Sequence, residues 1–284
     1  MFRNLNIGAL GLTAPLPKAI ELAKMGGFEG VEFNPREIME LLKGRSEEEI
    51  IGLLRQEGLR WGGWGLPIGL MAEEEKFQRS LDDLSVIAET AHRLGCPRTY
   101  TWIAPYSDEL RFEENFSLHV ERISAVAEVL KKHGCVLGLE FVAPKTSRLN
   151  HKYEFIHDLQ GIMDLIDAVG MGNLGVLLDS WHWYTSHGTV DQILSLRGPD
   201  VVYVHINDAP AGIPIDEQID NVRCLPGETG VIDIVGFLGA LRDIGYDGPV
   251  TPEPFDERLK RMPLDEAVLK VSEAVNKVWR SAGL

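Results

Sequence analysis

Short β-branched or aromatic runs alternate with longer helical patterns along the whole chain, and this alternation constrains the fold more than any other feature. Eight strand candidates stand out: LNIGAL (5–10), FEGVEF (28–33), LRWGGW (59–64), RTYTWI (98–103), VLGLEF (136–141), LGVLLD (174–179), VVYVHI (201–206) and PVTPEP (249–254). Helical patterns lie between and after them at about 15–25, 46–57, 73–94, 113–133, 154–169, 189–196, 232–244 and 263–281. Several open on Ser or an acidic residue and close on Gly, as in LGC, HGC, VGM and IGY. Repeated βα units of this kind build a parallel sheet with helices outside it. A doubly wound open sheet is the alternative, but no GxGxxG follows the first strand and no GxxxxGK[ST] occurs. No Pro/Gly/Ser linker or composition break divides the chain, and the long loops are 104–112, 143–153 and 207–231. The expectation is a single α/β domain over residues 1–284, a (β/α)₈ TIM barrel.

With 284 residues, 44% of them hydrophobic, the chain can bury a core of that size. Its 28 Lys+Arg stand against 43 Asp+Glu, a formal charge of −15 whose field repels phosphate backbones and anionic membrane surfaces. Nucleic acid and membrane are therefore not expected partners. The first residues, MFRNLNIGALGLTAPLP, lack a long apolar core and a small-residue cleavage site, so the expectation is a soluble cytoplasmic protein. Cys96, Cys135 and Cys224 are scattered, odd in number and without a CxxC pair, which points to free thiols rather than disulfides or a thiolate zinc site.

The strands of a parallel barrel are buried on both faces, so an ionisable group in one needs a partner, a ligand or solvent at the mouth. Strands five to eight each carry one: Glu140 in GLEFV, Asp179 ending GVLLD, His205 in VYVHIND and Glu253 in TPEPF. All four fall at or near the carboxyl end of their strand, the face where (β/α)₈ enzymes carry their active sites. Singly, each has a structural explanation: Glu140 or Glu253 could pair with an arginine, Asp179 could cap a helix, and His205 could be a satisfied core histidine. Four at matching depth on consecutive strands point instead to one shared divalent ion. Three carboxylates and one imidazole suit Mn²⁺ first, then Mg²⁺ or Co²⁺, and tolerate Zn²⁺.

The strings GLEF, LLDSWHW, VHIND, LPGETGVID and GYDGPVTPEPF resemble the xylose isomerase-like superfamily of sugar isomerases and epimerases. That group includes ketose 3-epimerases, inosose isomerases and dehydratases and, more distantly, endonuclease IV. The resemblance implies that Glu140, Asp179, His205 and Glu253 are metal ligands and that Glu140 and Glu253 also form an acid/base pair. It implies a substrate contact for His182, with a polar first-turn residue as the structural alternative. Arg223 resembles the arginine that inosose isomerase-like members place before a PGxG turn, where a guanidinium can fork hydrogen bonds to hydroxyls; a surface salt bridge is the other account. Ketose 3-epimerases usually carry an arginine soon after the strand-seven histidine, whereas this chain reads Asp208-Ala209-Pro210, a departure that leans the comparison towards inosose isomerases.

Trp102 and Trp64 end strands and are expected to wall a sugar pocket, although tryptophan more often fills cores. Glu32 and Lys145 are further possible hydroxyl contacts, each equally explained by an ion pair at the barrel rim. The implied reaction removes a C–H proton beside a carbonyl of a small sugar or cyclitol and returns it elsewhere, giving epimerisation or isomerisation. A lyase of the inosose dehydratase kind and a non-catalytic carbohydrate-binding barrel are the alternatives. The resemblance also implies a homo-oligomer, a dimer or tetramer.

Overall fold

Seven of the eight expected runs carry barrel strands in the computed structural model, which describes all 284 residues, and the first strand forms just ahead of the run at 5–10. The strands are β1 (Phe2–Leu5), β2 (Gly30–Val31), β3 (Arg60–Trp61), β4 (Trp64–Gly65), β5 (Arg98–Ile103), β6 (Tyr106–Ser107), β7 (Val136–Phe141), β8 (Tyr153–Glu154), β9 (Leu174–Asp179), β10 (Val201–Ile206) and β11 (Pro249–Pro252). Nine pair in parallel in the order β3-β2-β1-β11-β10-β9-β7-β5-β4. The two ends of this list are halves of one segment, residues 60–65, so the sheet closes on itself there. The expected third strand is thus real but broken at Gly62 and Gly63. A Cβ on Gly62 would lie 2.3 Å from the Asn4 side-chain amide, so only glycine lets that amide occupy the barrel interior. The architecture is the expected single-domain TIM barrel.

Strand one sits three residues earlier than the sequence suggests. The alternation Leu5, Ile7, Ala9 looks like a continuing strand, but the side chain of Asn6 accepts from Ala9 N–H (3.2 Å) and residues Gly8–Leu10 coil into a 3₁₀ turn. The pairing that anchors β1 lies upstream, with Phe2 opposite Pro249 and Arg3 opposite Val250. The fifth major helix, Leu159–Val169, starts later than expected because Asp158 caps it through Gly161 N–H (2.8 Å), while β6 and β8 pair antiparallel across the loops before it. Two short helices, Pro35–Leu41 and Ser180–Thr185, were not expected.

The outer helices bury one stripe each. The helix Leu264–Ser281 buries Ala267, Val268, Val271, Val275, Val278 and Trp279, spacing that keeps one face on the barrel. No helix is long and apolar enough to cross a membrane.

Candidate metal centre

Inward-facing positions alternate along each strand, and the register brings Asp179, His205 and Thr251 level on adjacent strands. Glu140 lies one residue before the end of β7, and Glu253 follows β11, its N–H bonded to Ile206 O (3.0 Å). One ligand atom from each of Glu140, Asp179, His205 and Glu253 lies within 4.8 Å of the others. Metal–oxygen and metal–nitrogen bonds are about 2.0–2.2 Å, so donors around one ion stand up to ~4 Å apart and this set needs only slight adjustment.

His205 turns Nδ1 toward Glu140 Oε1 (3.4 Å) and Glu253 Oε2 (3.5 Å). Charge-assisted bonds run about 2.7–2.9 Å, so the imidazole is spaced from its carboxylates as donors to a common ion are. A hard, oxygen-rich set with one imidazole fits a divalent cation. Asp179 serves locally as well: Oδ1 accepts from Trp181 N–H (2.8 Å), capping Ser180–Thr185, and from Asn207 Nδ2 (2.9 Å). Its Oδ2 accepts from Arg223 Nη1 (2.8 Å). The capping role and a place at the centre are therefore compatible.

Burial pushes Glu140 up to about 7, only partly offset by His205. Burial also raises Glu253, against the pull of His205 and Arg223. For Asp179 burial is outweighed by Arg223, His182 and His205, which hold it at about 2. For His205 burial is outweighed by Glu253 and Glu140, which raise it to about 9. Ligands must be deprotonated to bind a metal, so a divalent ion such as Mn²⁺, if held here, would displace protons from Glu140 and His205. Apparent Mn²⁺ affinity is therefore expected to rise from pH 6 to pH 9, with net proton release at pH 7.5. Calorimetry in buffers of different ionisation enthalpy checks this; affinity independent of pH would contradict it.

Two of the four, Glu140 and Glu253, open onto a cavity of about 950 Å³ that His182, Arg223, Trp102 and Asp220 also line. His182 is buried, and its Nδ1 accepts from Ala143 N–H (3.2 Å). Burial lowers it to about 4, so it is neutral. Its Nε2 lies 3.4 Å from Arg223 Nη2 and 3.9 Å from both Asp179 Oδ2 and Asp220 Oδ1. Arg223 is not the surface ion pair allowed by the sequence. It is buried, giving Nη1 to Asp179 and Glu253 (2.8 and 3.0 Å) and Nη2 to Asp220 (2.9 Å), with its guanidinium 4.5 Å from the Phe255 ring centre.

Three expected contacts sit elsewhere. Trp64 is no pocket wall: it is fully buried, and its indole N–H donates to Cys96 O (3.1 Å) inside the core. Lys145 stands on the rim, paired with Asp216 (3.1 Å), and does not line the cavity. Glu32 lies outside this cavity, its carboxylate accepting from Tyr100 Oη (2.6 Å), Tyr203 Oη (2.7 Å) and Asn4 Nδ2 (2.9 Å). Burial raises Glu32 to about 7 against those bonds. This polar layer beneath His205 replaces the apolar filling usual in such barrels.

Sequence reasoning also missed Asn207, Asp220 and Phe255. Phe255 has φ 40, a left-handed conformation that a bulky residue adopts only under constraint. Asp208, where ketose epimerases were expected to differ, proves to be a clamp. Its Oδ1 accepts from Ala209 N–H (2.8 Å) and Ile232 N–H (2.9 Å), and its Oδ2 from Thr229 N–H (2.9 Å) and Gly230 N–H (2.7 Å). Its backbone bridges Cys224, next to Arg223. Asp208→Ala is expected to strand these donors at about 1–3 kcal/mol. Hydrogen exchange at Thr229, Gly230 and Ile232 should accelerate first; unchanged protection there would refute the clamp.

The model of the xylose isomerase-like TIM barrel family matches residues 20–277. A xylose isomerase domain protein from Alicyclobacillus acidocaldarius is similar in structure, with TM-score 0.87 and 29% identity over 99% of both chains. An inosose isomerase of Bacillus velezensis is 27% identical over 43% of this chain and 43% of its own length. A 3-dehydroshikimate dehydratase of Pseudomonas aeruginosa is 34% identical over 35% of this chain and 16% of its own length. The matched segments thus span less than half of these two curated relatives. With 258 consecutive residues matched by one family model and a full-length structural counterpart, the chain belongs to the xylose isomerase-like TIM barrel family.

Proposed function

We propose that the protein is a divalent-metal-dependent isomerase or epimerase of a sugar or cyclitol, acting through an enediolate at a carbon beside a carbonyl. The observation that carries this reading is the convergence of Glu140 and Glu253, from strands far apart in sequence, on either side of His205 in the lining of one cavity. A divalent ion held by Glu140, Asp179, His205 and Glu253 supplies electrostatic support for charge developing on the substrate's carbonyl oxygen. Glu140, whose carboxylate has His205 as its one hydrogen-bond partner, has an oxygen left to take a proton from the substrate. Glu253 keeps one carboxylate oxygen oriented on Arg223 (3.0 Å) and acts as its opposite number. His182 and Trp102 line the same cavity, Trp102 with an aromatic face beside Glu140.

The test is a screen of ketoses, inososes and their phosphates in D₂O with Mn²⁺. Deuterium at the carbon beside the carbonyl, without loss of mass as water, is the expected result; no exchange with any of them counts against the reading. Dehydration on the same residues is a second reading, supported by the similarity to a 3-dehydroshikimate dehydratase. Its product is lighter by one water, so mass spectrometry of the same samples separates the two.

A further inference from the structure

Trp102 on β5 is the ladder partner of Glu140 on β7, so the indole rises directly beside that carboxylate in the cavity. Buried Glu140, His182 and Arg223 line it with Glu253, and the exposed side chains of Trp102, Leu149 and Ile219 line it too, among polar neighbours such as Ser147, Glu217 and Asn221. Trp102, Leu149 and Ile219 are 60%, 59% and 57% exposed, three large apolar side chains around one opening. Exposed apolar surface concentrated in a concavity marks a place that a ligand covers. The antiparallel pair β6 and β8 holds Tyr106 in the same lining, with one face of its ring stacked on His151, so Trp102 is the open aromatic surface for a flat ring.

Volume argues the same way. Cavities of roughly 300–1,000 Å³ accommodate drug-sized ligands, and this one, about 950 Å³, lies at the upper end. A six-carbon sugar or cyclitol held at Glu140 and Glu253 would leave room in this volume for a substituent beside Trp102, Leu149 and Ile219. Charge narrows the choice further. Asp216, Glu217 and Asp220 line the cavity, and Arg223, its one lining cation, is already paired with Asp179, Asp220 and Glu253. A phosphate group on the part of the ligand beyond the ion would lie against Asp216, Glu217 and Asp220 with no unpaired lining cation to meet it.

We propose that the substrate is an uncharged keto sugar or keto cyclitol bearing an apolar, planar substituent away from its carbonyl, and not a sugar phosphate; simple aryl glycosides, which lack the carbonyl, share the substituent and serve as binding probes. The polar ring lies at Glu140 and Glu253 and the substituent between Trp102, Leu149 and Ile219. The orientation rests on the reading of Glu140 and Glu253 as the reacting end. A second copy of this chain is the competing cover, but the side chains line a recess that descends to the carboxylates, a shape suited to a small molecule.

Binding of methyl and phenyl β-glycosides of glucose, galactose and xylose to the Mn²⁺-loaded protein, measured by calorimetry, tests this without requiring turnover. Glucose 6-phosphate serves as the charged probe. At least one phenyl glycoside is expected to bind about tenfold or more tightly than its methyl counterpart, because the added ring buries apolar area beside Trp102, Leu149 and Ile219. The double variant Leu149→Ala/Ile219→Ala should bring that ratio close to one while leaving Mn²⁺ affinity and methyl glycoside binding as they were. Equal binding of the two series, no binding by any of the six, or tighter binding of the phosphate overturns the proposal. So does a phenyl preference that survives the double substitution, or sedimentation showing that the substitution splits an oligomer while the preference stays. Absence of deuterium exchange alongside an intact, Leu149- and Ile219-dependent phenyl preference would remove the isomerase reading and leave the apolar subsite standing.

Discussion

Glu140→Gln and Glu253→Gln are each expected to cut solvent-hydrogen exchange into the substrate by about 10²–10⁴-fold, the range that positioned acid/base groups contribute. Glutamine keeps the volume and one oxygen at each position but can neither accept nor return a proton at neutral pH. The two variants should differ in their side effects. Glu253 is bonded by Arg223 as well as facing His205, so Glu253→Gln also loosens a charge that helps hold the guanidinium. Glu140 is bonded by His205 alone, and Glu140→Gln should leave the rest of the centre as it is. Exchange rates must be measured at saturating Mn²⁺, with metal content determined for each variant, because both residues also belong to the candidate ligand set. A variant that retained metal and wild-type exchange would eliminate its residue from proton transfer.

Arg223→Met should have the largest effect on stability. In the metal-free protein it leaves Asp179 and Glu253 buried without their common cation, and breaking a buried pair from one side costs about 3–5 kcal/mol. The pH dependence follows from Asp179, held at about 2 in the folded protein, below the ordinary carboxylate value of about 3.9. A depressed carboxyl contributes stability that is present above about pH 4 and disappears as pH falls towards 2. The gap between wild type and Arg223→Met is therefore expected to be widest near neutrality and to shrink in acid. Saturating Mn²⁺ should narrow it too, since the ion neutralises the same carboxylates. Urea unfolding at pH 7 and pH 3, with and without Mn²⁺, measures all of this; equal stability of the two proteins at pH 7 without metal would refute the account.

The barrel and its four converging residues were legible because ionisable groups inside apolar strands are conspicuous against a buried background. Strand identity carried that far, but strand position did not always follow. Residues 5–10 keep an alternating apolar pattern after the ladder has ended, and only the Asn6 side chain, which diverts the backbone into a turn, marks the change. Exposure was least legible. Trp64 and Trp102 both looked like strand-end aromatics, yet one is sealed in the core and the other stands at the cavity mouth, and nothing local distinguishes them. The polar layer was invisible for a different reason. Glu32 meets Tyr203 across 171 residues and Asn4 meets it across 199, contacts created only by closing the sheet. Asp208 was noticed as a departure from a known pattern, but its four backbone partners lie one and 21 to 24 residues downstream, in a loop whose course no periodicity announces.

One strand has a bearing on the order of events during synthesis. β11 pairs with β10 on one side and with β1 on the other, and Glu253 follows it immediately. A chain emerging from the ribosome without β11 carries Glu140, Asp179 and His205 but has neither the strand that joins β10 to β1 nor the fourth candidate ligand. Closure of the ring and completion of the ion site are thus one step, taken only when the last strand arrives. A nascent chain stalled before residue 249 would hold metal weakly, and metal capture could serve as a reporter that the barrel has shut.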